Sequence, residues 1–366
     1  MIEKRETLIE NILEHARWAP SGDNFQNWRF EIVDEYHFVV HGYDTREHCV
    51  YDLQGQASQL AIGALLESIA IASSAFRHRA EFRLREGVPE TTPTIDVSLV
   101  GDETIQQDAL FAYLPIRSVQ RRRLKTTPLT PEQKLALEQS VGKFYTVYWL
   151  EGWQNRRRAA LLMYKNAKLR LTLPEAFPTH STIIEWNARF SEDKIPDQAV
   201  GLDPVATWLM KWALKSWLRV RFLNTYCFGT LLPRIELDLL PGIFCGAHFA
   251  LIAERQSESI QDNLDAGRAI QRFWLTATQL GLQLQPEMTP LIFSSYIRNN
   301  VIFTQIDALY QFANHLANDF HQLLKQAPVN QAVFLGRIGH GGHPFSRSLR
   351  LPLKKLMDQV YKKKLD

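Results

Sequence analysis

The chain has 366 residues, 45% of them hydrophobic and 22% charged, a globular composition that excludes wholesale disorder, collagen and a coiled-coil rod. Its 42 basic and 39 acidic side chains leave a net charge of +3, too small a balance to argue for a dedicated nucleic-acid binder. Three cysteines, Cys49, Cys227 and Cys245, cannot build a disulfide framework, so a reducing, cytoplasmic setting is expected.

The charged start Met-Ile-Glu-Lys-Arg-Glu lacks an apolar signal core. No uninterrupted apolar run reaches the roughly 18 residues of a spanning helix, so no membrane span is expected. At about 150 residues per domain, the length predicts two domains or two intertwined halves.

In chain order, residues 5–18 predict a helix, with Leu8, Ile9, Ile12, Leu13 and Ala16 on one face. Pro20-Ser21-Gly22-Asp23-Asn24 breaks it. Residues 28–33 and 36–43 read as a strand hairpin. Residues 53–77 form a long helix of small and apolar residues suited to the centre of a packed layer. Strands are expected over 80–86 and 94–100, a short helix over 103–113, and a basic, irregular segment over 115–128. Thr130-Pro131 starts a helix over 131–140, followed by a strand over 144–150. The second half predicts helices over 153–172 and 204–222, a loop-rich stretch over 174–203, and a buried strand over 243–254. Helices over 258–280, 306–325 and 353–362 and a strand over 332–337 complete the reading. The tail Lys362-Lys363-Lys364 reads as a solvated end.

The two long helices echo one another. Ile62-Gly63-Ala64 can be laid over Ala266-Gly267-Arg268. Two copies of one α+β unit would produce this pattern, and so would two unrelated amphipathic helices.

Four segments carry candidate chemistry. Arg17 to Trp28 offers backbone N–H groups together with the amides of Asn24, Gln26 and Asn27, which can donate and accept as a heteroaromatic edge requires. The same residues also suit an ordinary helix-to-strand turn. Ile116-Arg117-Ser118-Val119-Gln120-Arg121-Arg122 supplies guanidinium forks and a hydroxyl for a phosphate, or a solvated basic turn. Gln285-Pro286-Glu287-Met288 follows the second long helix, and Phe334-Leu335-Gly336-Arg337-Ile338-Gly339 adds a cation among glycines.

Other motifs are poor. Cys245-x-x-His248 has zinc-like spacing but no second pair, so a packed core pair is the better reading and no metal site is expected. His340 and His343 flank a glycine pair and read as loop histidines. No Gly-x-Gly-x-x-Gly follows a strand and no nucleophile elbow is present.

The stretch Arg17-x-Ala19-Pro20-Ser21-Gly22-x-Asn24-x-Gln26-x-Trp28 resembles the signature of the nitroreductase superfamily, with Asn27 where that family usually has proline. The other three segments follow in the order the family would place them. The spacing is most similar to the duplicated, single-chain Acg-like branch. The resemblance implies an α+β, nitroreductase-like fold of two fused halves forming a pseudo-dimer around central helices. The first half would span 1–112. The second would span 113–366, with a helical lid inserted at about 175–222.

It further implies an FMN site drawn from Arg17, Ser21, Asn24, Gln26, Arg117, Ser118, Arg121, Pro286, Glu287 and Arg337, with no catalytic side chain assigned. NAD(P)H would be the electron donor, and a nitroaromatic, a quinone or a related small molecule the acceptor. The protein would act as a monomeric pseudo-dimer or a homodimer. The alternatives are an FMN store or sensor with little turnover, and a flavin-free scaffold. Within the lid, Trp208 and Trp212 form an aromatic stripe and Lys211, Lys215 and Arg219 a cationic one, which fits either packing or a membrane-surface helix.

Overall fold

The structure is a computed structural model that describes residues 7–357. The Lys362–Lys364 tail and the second half of the helix expected over 353–362 lie outside those residues; 353–357 are helical. The chain is a mixed α+β protein, as expected.

Helix α1 (Leu8–Ala16) begins with a capping box, in which Thr7 Oγ1 accepts from Glu10 N at 3.2 Å and Thr7 N donates to Glu10 Oε2 at 2.8 Å. The hairpin β1 (Trp28–Ile32) and β2 (His37–Gly42) follows, then α2 (Gln56–Ser74), β3 (His78–Leu84) and β4 (Thr94–Gly101). These strands form an antiparallel sheet in the order β1-β2-β4-β3. One face packs on α1 and α2 through Trp28, Phe30, Phe38, Val40, Ile95 and Val97. Along β3 exposure alternates residue by residue, as for a sheet with one wet face.

The helix expected over 103–113 is only a single tight turn at Phe111–Tyr113. Asp102 and Asp108 capture the backbone amides of Thr104 and Leu110 at 2.9 and 2.8 Å. Such local bonds compete with a helix.

Next come α3 (Pro131–Ser140), β5 (Tyr145–Leu150) and α4 (Gly152–Thr172). A stretch follows that includes the helices α5 (Phe177–Thr182), α6 (Pro204–Ala213) and α7 (Trp217–Tyr226), with short parallel-paired strands at Ile184–Glu185, Phe190–Ser191 and Ile195–Pro196 between α5 and α6, and further helical turns run to Ile243. Residues 204–222 are two helices because Ser216 caps the second, its Oγ accepting from Arg219 N at 3.4 Å. Then come β6 (Ala247–Ala253), α8 (Ile260–Gln279), β7 (Leu282–Pro286), α9 (Thr289–Arg298), α10 (Asp307–Leu323) and β8 (Ala332–His340).

The second sheet is antiparallel in the order β7-β8-β6-β5. Strand β6 reads as a continuous apolar run because both faces are covered. Ala247, Phe249 and Leu251 face the core built with α8, while Ala250 and Ile252 face α4, α9 and α10. Helix α9 carries no counterpart among the sequence expectations.

Helices α2 and α8 cross at the glycines of the echo. A Cβ on Gly63 would lie 2.1 Å from the Leu264 carbonyl oxygen, and one on Gly267 would lie 2.1 Å from the Leu60 oxygen. Each glycine thus faces the carbonyl three residues before the other, a reciprocal contact in the register of the sequence echo. Polar pairs flank the crossing: Asn263 Nδ2 donates to Gln59 Oε1 at 2.7 Å, Gln271 Nε2 to Ser68 Oγ at 2.9 Å, and Arg268 and Arg272 hold Glu67 at 2.8 and 2.6 Å. Helix α2 is long and apolar enough to cross a membrane by composition, yet 83% of that stretch is buried inside the protein.

Beyond β8 the chain returns to the first core, where Leu351, Leu353, Leu356 and Met357 pack. Cys227 is exposed while Cys49 and Cys245 are buried. Burial, aided by Asp23, pushes the Cys49 thiol up to about 11. A thiol reagent should therefore modify Cys227 at once in the native protein, and the other two only on unfolding. Thiol release against time, with and without denaturant, checks this.

Candidate functional site

The loop between α1 and β1 is held in an unusual shape. Asp23, Asn24 and Gln26 have φ of 49°, 65° and 51°, the left-handed region that non-glycine residues enter at a cost. Ser21 Oγ accepts from Gln26 N at 2.9 Å. The Gln26 side chain is fully engaged: Nε2 donates to the Asn24 and Glu192 carbonyls at 3.1 and 2.9 Å, and Oε1 accepts from Leu351 N at 2.8 Å. Asn24 Nδ2 donates to the Glu192 and Lys194 carbonyls at 3.1 and 3.3 Å, leaving Oδ1 buried without a partner. A segment between α5 and α6 is thereby fastened onto the loop.

Against this loop lies a cluster of arginines. Arg117 is 5% exposed; its Nη2 donates to the Trp18 carbonyl at 3.0 Å, its guanidinium sits 4.5 Å from the Trp274 ring centre, and Nε is buried without a partner. Burial, reinforced by Arg350 and Arg347, pushes the Arg117 pKa well below the usual arginine range. Arg350 Nε donates to the Ala19 carbonyl at 2.8 Å, and burial with the same kind of neighbours, Arg347 and Arg17, brings its pKa to about 9. Arg347 donates to the Ile116 carbonyl at 3.2 Å and lies 5.1 Å over Trp18. Among the described residues, Arg117, Arg347 and Arg350 are ion-paired with no carboxylate. Arg17 donates to the Leu351 carbonyl at 3.2 Å and pairs with Glu14, with Nε buried and unpartnered.

Ser118 is half-buried between Arg117 and Val119, and Val119 bridges Leu284 beside β7. Farther along, Arg121 Nη1 donates to the Ala199 carbonyl at 3.3 Å, and burial lowers its pKa to about 10 against the opposing pull of Asp23. Asp23, Arg121 and Arg170 are each half-buried, and both arginines act on Asp23. Burial raises the Asp23 pKa, with Arg121 and Arg170 opposing. Tyr51 and His180 from α5 share a 2.8 Å hydrogen bond on the same side. Burial, with Arg170, drops the His180 pKa to about 3. The imidazole is therefore neutral at physiological pH.

Arg337 and Glu287 form a separate unit. Arg337 Nη1 donates to Glu287 Oε1 at 2.8 Å and Nη2 to the Arg121 carbonyl at 2.9 Å. Glu287 Oε2 meets His248 Nδ1 at 2.6 Å, and His248 Nε2 lies 2.8 Å from the Gly242 carbonyl oxygen. Pro286 ends β7 opposite Gly336, and Gln285 Oε1 beside it is buried without a partner.

Glu287 and Arg337 thus bond to each other, and the C-terminal cations beside Arg117 are Arg350 and Arg347. Sequence reasoning passed over these two. The signal was an Arg-x-x-Arg pair, Arg347 and Arg350, directly after the glycine–histidine loop.

Burial opposes ionisation throughout this unit, but Glu287 and Cys245 more than offset it at His248, whose pKa stands well above 6.5. At Glu287, His248 and Arg337 overcome burial and hold the carboxyl below 4.5. The His248 contribution to stability is full below pH 6.5 and is lost as pH rises through the raised value. The Glu287 contribution is present above pH 4.5 and is lost as pH falls through the lowered value. Glu287→Gln leaves two buried cationic partners uncompensated and should cost about 3–5 kcal/mol. Urea unfolding at neutral pH measures this, and a cost below about 1 kcal/mol would contradict the arrangement.

The fold and site together define a mixed α+β protein with two four-stranded antiparallel sheets and two short parallel strand pairs among the described residues, and with buried Arg117 and Arg350 and half-buried Arg347 gathered beside a strained amide-rich loop. No protein-family model matches the chain. It is similar to the uncharacterized protein MT1398 of Mycobacterium tuberculosis (strain CDC 1551 / Oshkosh), at 22% identity over 338 residues, covering 92% of this chain and 46% of that protein. The chain therefore spans about half the length of the curated relative it matches.

Proposed function

We propose that the chain is an FMN-binding oxidoreductase of nitroreductase-like fold, in which two fused halves meet at the α2–α8 crossing and build a flavin site. The observation that carries the reading is the cluster of buried Arg117 and Arg350 with half-buried Arg347, which among the described residues have no carboxylate partner. A phosphate is the complementary ligand, because charge-assisted forks to phosphate would satisfy the orphaned Arg117 Nε and offset the mutual repulsion. Asn24 Oδ1 and Gln285 Oε1 are buried acceptors suited to the N–H edge of a heteroaromatic ring.

An FMN held there would supply the redox chemistry that links NAD(P)H to a nitroaromatic, quinone or related small acceptor. The chain's own residues would bind and orient it. Arg117 and Arg350 would hold the phosphate with Ser118 nearby, and Arg121 would add a cation beside Asp23 of the same loop. Arg17 would buttress Arg350 through the backbone of 350–351, while Ser21 and Gln26 would fix the loop that presents Asn24. Pro286 would set the backbone at the end of β7. Glu287 would orient Arg337 through their mutual pair, which leaves Arg337 Nε buried and unpartnered like that of Arg117.

A second reading, an FMN store or sensor, is favoured by one observation. The carbonyls of Glu192 and Lys194 are bonded directly to Asn24 and Gln26, so the 190–195 segment closes over the loop. Steady-state NAD(P)H oxidation by the flavin-loaded protein, with a nitroaromatic and a quinone as acceptors, separates the two. Sustained turnover supports the enzyme; flavin that stays oxidised under excess NAD(P)H supports the store.

A further inference from the structure

The 204–234 segment holds Lys211, Lys215, Arg219, Arg221 and Arg234 and no aspartate or glutamate. Within it, α7 has no fully buried residue. Its inner side is fastened to the body: Asn224 Nδ2 donates to the Leu171 carbonyl at 2.9 Å, and the Trp217 ring lies 5.8 Å from Phe177. Its outer side carries Leu218, Phe222 and Tyr226 at helical spacing, exposed by 74%, 53% and 73%. Arg221 is exposed between them, and Phe228, Leu231 and Leu232 continue the apolar surface past the helix end. On α6, Trp208 and Val205 are exposed as well. Apolar side chains this open on a soluble face mark an interaction surface.

We propose that this face docks on the surface of an anionic phospholipid bilayer. Charge decides the partner. A second copy of the chain in an isologous contact would set the cations of one α6–α7 face against those of another, since the acids Asp203 and Glu236 lie only at its edge, beside Val205. A protein interface core is also depleted in lysine, whereas Lys215 and Arg221 here stand exposed at the margin of the apolar stripe. Aromatic and aliphatic side chains flanked by cations are the composition of a helix lying in a lipid headgroup layer. Some of the cations are positioned by rings: Arg219 lies 4.9 Å over Trp212 and Lys211 5.9 Å over Trp186. This inference does not depend on the flavin reading, since it uses no residue of that site.

The test is sedimentation of the full chain with vesicles of phosphatidylcholine alone and of phosphatidylcholine mixed with phosphatidylglycerol. Binding is expected to the mixed vesicles only, and to weaken with added salt. At about fivefold in partitioning for each surface cation, Lys215→Ala with Arg221→Ala should reduce binding about twenty-five-fold. Leu218→Ser with Phe222→Ser should abolish it. All four positions are exposed or at the helix surface, so melting temperatures should match wild type, which separates lost docking from lost fold. Equal binding to both vesicle types, no binding to either, or variants that bind as wild type would overturn the proposal. A dimer in light scattering that the serine variants dissolve would assign the face to a second copy instead.

Discussion

Gly63→Ala should destabilise the protein by about 3 kcal/mol, against the usual trend for glycine-to-alanine changes inside helices. In an open helix this change gains about 1 kcal/mol. Here the new methyl would stand 2.1 Å from the Leu264 carbonyl oxygen and 2.8 Å from its carbon. Both are backbone atoms, so α2 and α8 must separate. Separation would also stretch the Gln59–Asn263 and Ser68–Gln271 bonds, leaving buried polar groups short of partners. Gly267→Ala should cost a similar amount, because its methyl meets Leu60 O at 2.1 Å. The double variant should cost less than the sum, since helices already forced apart accept the second methyl. Gly22→Ala is the control: a Cβ there meets nothing within 4 Å. Chemical denaturation of the four proteins checks the set, and a neutral Gly63→Ala would refute the close crossing.

Arg117→Met should separate binding from stability. The methionine keeps apolar bulk against Trp274 and removes the cation. Because burial and two neighbouring arginines depress the Arg117 pKa, the protonated group works against the folded state at neutral pH; that penalty fades only as pH rises through the depressed value. Its removal should therefore leave the melting temperature of the ligand-free protein unchanged or higher, despite the loss of one bond to the Trp18 carbonyl. FMN affinity should fall about ten- to hundredfold, the cost of one charged hydrogen-bond partner. Arg350→Met should behave alike. Arg337→Met should instead unfold the protein more readily, because it leaves buried Glu287 with His248 alone as cationic partner. Flavin fluorescence titration and thermal melts of the three variants read both quantities. An Arg117→Met protein that binds FMN as wild type does would remove the phosphate assignment.

The contrast between Arg117 and Arg337 shows where the sequence was readable. Long elements with one dominant face or an all-apolar run, such as α2, α8 and β6, announce themselves through periodicity and small-residue content. The Gly63–Gly267 correspondence was visible as an echo, but only the crossing gives it a physical cause. Arg117 was legible from its local motif. Arg350 and Arg347 were not, because their proximity to Arg117 depends on the chain returning across the first core after β8, a long-range event with no local pattern. The Arg337–Glu287–His248 unit was hidden for the same reason. Its members lie on β8, at the end of β7 and on β6, and strand register across a sheet cannot be read from composition. The short segment over 103–113 failed differently: a helix was expected, and two aspartates diverted the backbone.

The central claim is that Arg117, Arg347 and Arg350 form a phosphate seat for FMN beside the Ser21–Gln26 loop. The most direct measurement is the visible spectrum of the purified chain after incubation with FMN and removal of the excess. The account predicts retained flavin bands, lost when FMN is replaced by riboflavin, which lacks the phosphate. A colourless protein after FMN treatment, or equal retention of riboflavin, would contradict it.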